Sequence, residues 1–247
     1  MIKTVLAVLF AVLLNVPTED KQGTEADYLR EQFAKQVGGV CLSESYKEII
    51  FSQVGAALDS NKVMESPQYL LFVDRNPSVQ IATLLFVDPS DNCMTVIGAD
   101  KVSTGNSARR GYFVTPLGFI KNSPANMSYR ALGTRNSKGW RGLGLRGSRV
   151  WDFGWVETHT IKGKPYRIRL LLHATDPSYG EIRLGEVGSK GCIRISGKFN
   201  RFLDHFGILD AEYEYATSSK VRRVLSPERE IVCFPGRFVL VGDSGKK

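Results

Sequence analysis

A chain of 247 residues has room for one large or two small domains, and 43% apolar residues suffice for a sizeable core. The net charge of +8, from 33 basic and 25 acidic residues, suits an anionic polymer as partner without choosing among nucleic acid, an acidic membrane and a cell wall. No zinc-finger spacing, RNA-binding signature or lysine-rich tail favours nucleic acid, so no nucleic-acid partner is expected.

Residues 1–18 read as a signal segment. Lys3 supplies a positive charge, residues 4–14 form an apolar run too short to span a bilayer, and Pro17, Glu19 and Asp20 follow. Export to a periplasm or cell envelope is therefore expected. No clean small-x-small pair precedes Pro17, so the pattern fixes no cleavage site; the bland alternative is a buried N-terminal helix. Residues 19–66 read as a helical region that packs on the unit following it. Thr24 and Asp27 form a capping pair ahead of a stripe of Leu29, Phe33 and Val37, and Gly38-Gly39 stops the helix. A second helix is expected over about 43–58, with Tyr46, Ile49, Ile50, Val54 and Leu58 on one face.

Residues 67–247 form the main unit. From Gln68 the pattern changes to short apolar runs, YLLFVD and IATLLFVD, then MTVIGADKVSTG and GYFVTPLGFI, all read as strands. Turns fall at Ser103-Thr104-Gly105 and Thr115-Pro116-Leu117-Gly118. Residues 129–155 hold all three tryptophans, six glycines and six basic residues. They read as a long loop leading into a strand in which Trp151, Phe153 and Trp155 pack on the core. The functional alternative is a cleft wall, with arginines facing acidic peptides and an aromatic facing sugar or peptide.

The stretch 173–194, HATDPSYGEIRLGEVGSKGCIR, carries the chemistry. An apolar run at 168–172, broken by Arg169, leads into His173, and a turn-rich segment leads on to Cys192. A thiolate is the reactive form of cysteine and a neutral thiol needs a base, which His173 can supply. Gly191 lets the backbone approach a substrate, and Arg194 offers a planar fork for a carboxylate. On Cys192 and His173 alone, a buried small hydrophobe is the commoner reading of a lone cysteine. Beyond Arg194, Ser196 is expected to cap a short helix with Phe199, Phe202, Leu203 and Phe206 on its core stripe, ending at Gly207. Residues 231–234 and 237–241 are expected as edge or closing strands. His159 and His205 read as structural, and the scattered histidines form no metal site. Cys41, Cys93 and Cys233 allow at most one bridge, in three pairings, or none.

The stretch resembles the catalytic motif of the L,D-transpeptidases, the YkuD-like family. That motif has a His, roughly fifteen residues, Ser or Thr, His, Gly, Cys, a hydrophobic residue, and Arg or Asn. Here His173 is followed by fifteen residues and then Ser189, Lys190, Gly191, Cys192, Ile193 and Arg194. Lys190 stands where the family usually places a second His. The two upstream turns, Ser-Thr-Gly and Thr-Pro-x-Gly, extend the resemblance over about residues 68–244.

The resemblance implies a mainly β catalytic domain, a sandwich or barrel with a few helices, acting on peptidoglycan stem peptides without metal or cofactor. Cys192 would attack the peptide bond before the terminal D-residue of a tetrapeptide stem. His173 would serve as base, oriented by the backbone carbonyl of Ala174. Backbone N–H groups of Lys190, Gly191 and Cys192 would hold the oxyanion, and Ser189 and Arg194 would bind substrate. The acyl group would pass to an amine. Alternatives are an L,D-carboxypeptidase or endopeptidase on the same fold, a non-catalytic cell-wall-binding module, and a redox or structural thiol in an unrelated β protein. No motif names the acyl acceptor or the oligomeric state.

Overall fold

The computed structural model describes residues 19–61, 63–91, 93–105 and 109–245, the first six of them as backbone alone. The segment read as a signal lies outside the described residues. Two helices, α1 (Glu19–Gln36) and α2 (Glu44–Asn61), precede strands β1 (Gln68–Asp74), β2 (Ile81–Asp88), β3 (Cys93–Lys101), β4 (Gly118–Lys121), β5 (Tyr129–Arg130), β6 (Arg149–His159) and β7 (Pro165–Ala174). After β7 come a 3-10 turn (Glu181–Arg183), β8 (Ile193–Ile195), α3 (Gly197–His205), α4 (Ala211–Glu214), α5 (Ser219–Arg222) and β9 (Phe238–Gly242).

The strands make two sheets, ordered β3-β2-β1-β9-β4 and β5-β6-β7-β8. The fold is sheet-rich with few helices, and the described strands do not close into one barrel. β1 and β2 read as unbroken apolar runs because both faces of the first sheet are covered. On one face Leu70, Phe72, Leu85 and Leu240 meet Ile50 and Val54 of α2. On the other, Tyr69, Leu71, Leu84 and Val239 enter the main core with Trp151, Leu170, Leu172, Ile193 and the α3 phenylalanines. Helix α1 joins that core through Leu29 and Phe33, with Val37 just past its end, and the Phe33 ring stands edge-on to Phe199 and Phe202, 5.2 and 5.1 Å away. Gly98 makes room for it, since a Cβ there would meet the Phe33 ring at 2.2 Å.

Several elements differ from the sequence reading. Helix α1 begins at Glu19, so Thr24 and Asp27 lie inside it rather than at its cap. β9 is an interior strand, parallel to β1 and antiparallel to β4, not an edge. Residues 231–234 form no strand: Val232 N–H donates to the Phe206 carbonyl and the Phe234 carbonyl accepts from Tyr69, so the segment runs as a brace between α3 and β1. The cap of α3 is Ser196, whose hydroxyl accepts from the Phe199 N–H at 3.1 Å.

One contact joins the ends of the two sheets. Ser103, just past β3, pairs with Arg194 of β8 through two backbone hydrogen bonds of 2.9 and 3.0 Å. The residues around this bridge form the candidate site.

Candidate active site

β7 and β8 run parallel, with Leu172 opposite Ile193 and His173 opposite Arg194. Side chains alternate along each strand, so one face carries Ile168, Leu170, Leu172, Ile193 and Ile195 into the core. The other face carries Arg169, Leu171 and His173 from β7, with Cys192 and Arg194 from β8. Cys192 sits alongside Leu171, two residues or roughly 6–7 Å of strand rise from the level of His173. Its thiol lies 3.8 Å from the Arg169 carbonyl. Nineteen residues apart in sequence, His173 and Cys192 are thus on one face of adjacent strands.

His173 is buried, at 3% exposure, and its Nδ1 is 2.7 Å from the Ala174 carbonyl. A carbonyl only accepts, so Nδ1 carries the hydrogen and Nε2 holds the lone pair. Burial pushes the imidazole pKa down to about 4; the Ala174 bond opposes this and the Arg194 charge reinforces it. Burial also raises the Cys192 thiol above its ordinary value, against a hydrogen bond from the Leu171 backbone and the Arg194 charge, while the Asp152 charge raises it further. Both groups are therefore neutral near pH 7. The arrangement is a neutral thiol and a neutral base on one sheet face, not a standing thiolate–imidazolium pair.

The loop before Cys192 is held from several sides. Ser189 is fully buried; its hydroxyl accepts from the Gly191 N–H at 3.0 Å and donates to the Cys192 carbonyl. Thr115 donates to the Gly191 carbonyl at 2.8 Å and accepts from Gly105 N–H at 2.9 Å. The Thr104 carbonyl accepts from Gly188 and Ser189, and Thr104 is itself gripped by the buried Gln80 amide, whose Oε1 accepts the Thr104 N–H at 2.7 Å. Gly191 has φ +119°, where a side chain is strained, and a Cβ there would meet Ile168 at 2.5 Å. The two turns noted in the sequence, at 103–105 and 115–118, are thus the parts that brace the cysteine loop.

These contacts bear on three of the expected roles. Ser189, expected to bind substrate, is fully buried and its hydroxyl is engaged inside the loop, where it fastens Gly191 to Cys192. The Gly191 N–H, expected as an oxyanion donor, is taken by the Ser189 hydroxyl. Arg194 donates through Nη1 to the Gly188 carbonyl at 3.2 Å, a contact that braces the loop, and its Nε is buried without a partner. Lys190 is exposed, and the cation acting on Cys192 is Arg194.

The sequence reading missed Asp152, Arg169 and Tyr129. Asp152 stands on β6 opposite Leu171, fully buried, and its Oδ2 accepts from Arg169 Nε at 2.7 Å and lies 2.6 Å from Nη2. Tyr129 stands opposite Val150 and senses the charges of Asp152, Arg169 and Cys192. The available signal was polarity out of place: Asp152 in an apolar strand and Arg169 inside an apolar run. Trp151 and Phe153 enter the core as read, but Trp155 does not. A register shift between Asp152 and Trp155 turns it outward, 64% exposed, opposite Arg169.

The remaining histidines are remote in role. Nδ1 of the exposed His159 lies 2.9 Å from the Thr160 carbonyl, and His205 stands edge-on to Phe206. None of the four cysteines forms a disulfide, and Cys41, Cys93 and Cys233 are exposed, not buried. Among the described residues no group of three or more His, Cys, Asp or Glu side chains is placed to hold a metal. No protein-family model matches the chain, and no curated protein matches it significantly.

Proposed function

We propose that this protein is a cysteine acyltransferase of the L,D-transpeptidase type, acting on peptidoglycan stem peptides on an L,D-transpeptidase-like β fold. The observation that carries the reading is that Cys192 shares one face of adjacent strands with a buried, neutral His173 whose Nδ1 is fixed by Ala174. A base so tautomerised keeps the Nε2 lone pair available for the proton of a thiol on the same sheet face.

The reaction follows from the two neutral groups. His173 Nε2 takes the thiol proton as Cys192 sulfur attacks the carbonyl carbon between the third and fourth stem residues. Backbone N–H groups of Lys190 and Cys192 stabilise the oxyanion. The C–N bond breaks, the His173 proton passes to the leaving amine, and a Cys192 thioester remains. An incoming amine loses its proton to His173 and restores the thiol as the new amide forms; water in its place gives a free acid. The apolar run at residues 4–14 and the +8 charge support an exported enzyme working on an anionic envelope polymer.

The test is mass spectrometry of tetrapeptide muropeptides incubated with the protein. Loss of the terminal residue with new crosslinks supports transfer, and loss with a free tripeptide supports the carboxypeptidase alternative. Unchanged muropeptides, with a folded protein and an amine acceptor present, would count against both.

A further inference from the structure

The pair Asp152–Arg169 has no part in the reaction described above, yet it shares the sheet face of Cys192. Asp152 is fully buried, while the Arg169 side chain is 54% exposed. Nε and Nη2 of the guanidinium converge on one Asp152 oxygen, and the other oxygen accepts from the Gly154 N–H at 2.9 Å. A buried carboxylate held on both oxygens fixes the near edge of the guanidinium and leaves its Nη1 end outward. An ordinary surface ion pair has two mobile partners; here only one end can move.

Position along β7 gives this cation a direction. Arg169, Leu171 and His173 follow each other on one face, and Cys192 lies beside Leu171 in the middle. The base is therefore two residues to one side of the sulfur and the cation two residues to the other, each roughly 6–7 Å along the strand. The leaving amine must receive its proton from His173, so it occupies the His173 side. The retained acyl part of the substrate then extends over Arg169. Trp155, opposite Arg169 and largely exposed, and Tyr129 flank that end with apolar surface. Arg194, the other nearby guanidinium, donates through Nη1 to the Gly188 carbonyl.

We propose that Arg169, clamped by Asp152, binds a free carboxylate on the side chain of the residue whose carbonyl Cys192 attacks. The inference rests on the acyl-transfer reading and adds a substrate requirement: the acyl donor must be a dicarboxylic amino acid with its distal carboxylate unmodified. Asp152 is a positioning residue, and Arg169 is the group that touches substrate.

The experiment compares two synthetic tetrapeptides whose third residue is a diamino dicarboxylic acid, with the side-chain carboxylate either free or converted to the primary amide. Binding is measured on the Cys192→Ala protein and turnover on the wild type. The free acid should bind at least about tenfold more tightly than the amide, the scale of one charged hydrogen-bonded pair. Arg169→Gln in the same background should bring the two affinities within about twofold. Arg169→Lys, which keeps a cation for Asp152 but loses the fork, should lie between them. Because each variant is judged by the ratio of two ligands, a general loss of folded protein cannot mimic the result. Equal affinity for both peptides, no binding of either, or a preference that survives Arg169→Gln overturns the proposal. Turnover of acid and amide at equal kcat/KM removes the anchor while leaving the reaction intact. Preferential binding without turnover by the wild type removes the reaction and leaves the anchor.

Discussion

His173 and Arg194 stand directly opposite each other where β7 and β8 run parallel, so one guanidinium acts on both the imidazole and the thiol two residues before it. The charge lowers the pKa of each. For His173 it adds to burial and keeps the base unprotonated; for Cys192 it partly offsets burial and eases ionisation when the proton is taken. In the proposed reaction a cation at this position serves a neutral pair that transfers one proton, and it also fastens the loop at Gly188.

The low imidazole pKa makes stability depend on pH. In the unfolded chain the ring takes its proton near pH 6.5, and in the fold only near 4. Between these values the unfolded state holds the extra proton, so stability falls as pH drops from about 6.5 to about 4. The full effect of such a shift is about 3 kcal/mol. Urea unfolding of wild type and His173→Gln across this range should show the wild type losing about that much more stability on acidification. Parallel curves would mean that His173 is not held neutral.

Arg194→Ala should lower Tm, because Gly188 loses its brace, and should raise the pH at which iodoacetamide labels Cys192. The KM for an acyl donor should change little. A tenfold higher KM at unchanged Tm would return Arg194 to the role of carboxylate fork.

Lys190 is exposed and is not the cation acting on the thiol. Lys190→Ala should keep its labelling profile within about 0.2 pH units of wild type and its turnover within about twofold, since exposed charges are screened by solvent. In the proposed reaction only the backbone N–H at this position takes part, and it survives the substitution. Complete inactivity of the variant would show that the side chain does chemistry.

Ser189→Ala removes the hydroxyl that joins Gly191 N–H to the Cys192 carbonyl inside a fully buried turn. Leaving such groups unsatisfied costs about 1–3 kcal/mol. Stability should drop by that order and kcat should fall through a looser oxyanion loop, with KM nearly unchanged. A rise in KM alone, with stability retained, would indicate a substrate contact instead.

Local pattern carried much of this fold. The apolar runs of β1 and β2, the Ser196 cap and the phenylalanine stripe of α3 each follow from short-range spacing, and the sequence motif singled out His173 and Cys192, which lie on one face of adjacent strands. The parts that failed depend on distant pairing. β9 is central because Val239 lies beside Leu71 across 168 residues, and no local signal encodes a parallel partner so far away. Trp155 was misplaced because a strand keeps its period of two only until a bulge. The shift after Asp152, with Gly154 at φ +76°, sends the next tryptophan to the other face. Gln80 reads as an unremarkable loop polar residue, yet it is buried with φ +49° and supports the cysteine loop through Thr104. Its role exists only once β3 brings Thr104 beside it.

The thioester at Cys192 is the central claim, and intact-protein mass spectrometry reads it directly. Wild-type protein mixed with a tetrapeptide donor, without an amine acceptor, and quenched in acid should gain the mass of the donor minus its terminal residue. Peptide mapping should place that gain on Cys192, and Cys192→Ala should show none. His173→Ala should accumulate the adduct at least about a hundredfold more slowly, the usual contribution of a general base. An adduct on Cys41, Cys93 or Cys233, or donor cleavage that persists in Cys192→Ala, would contradict the account.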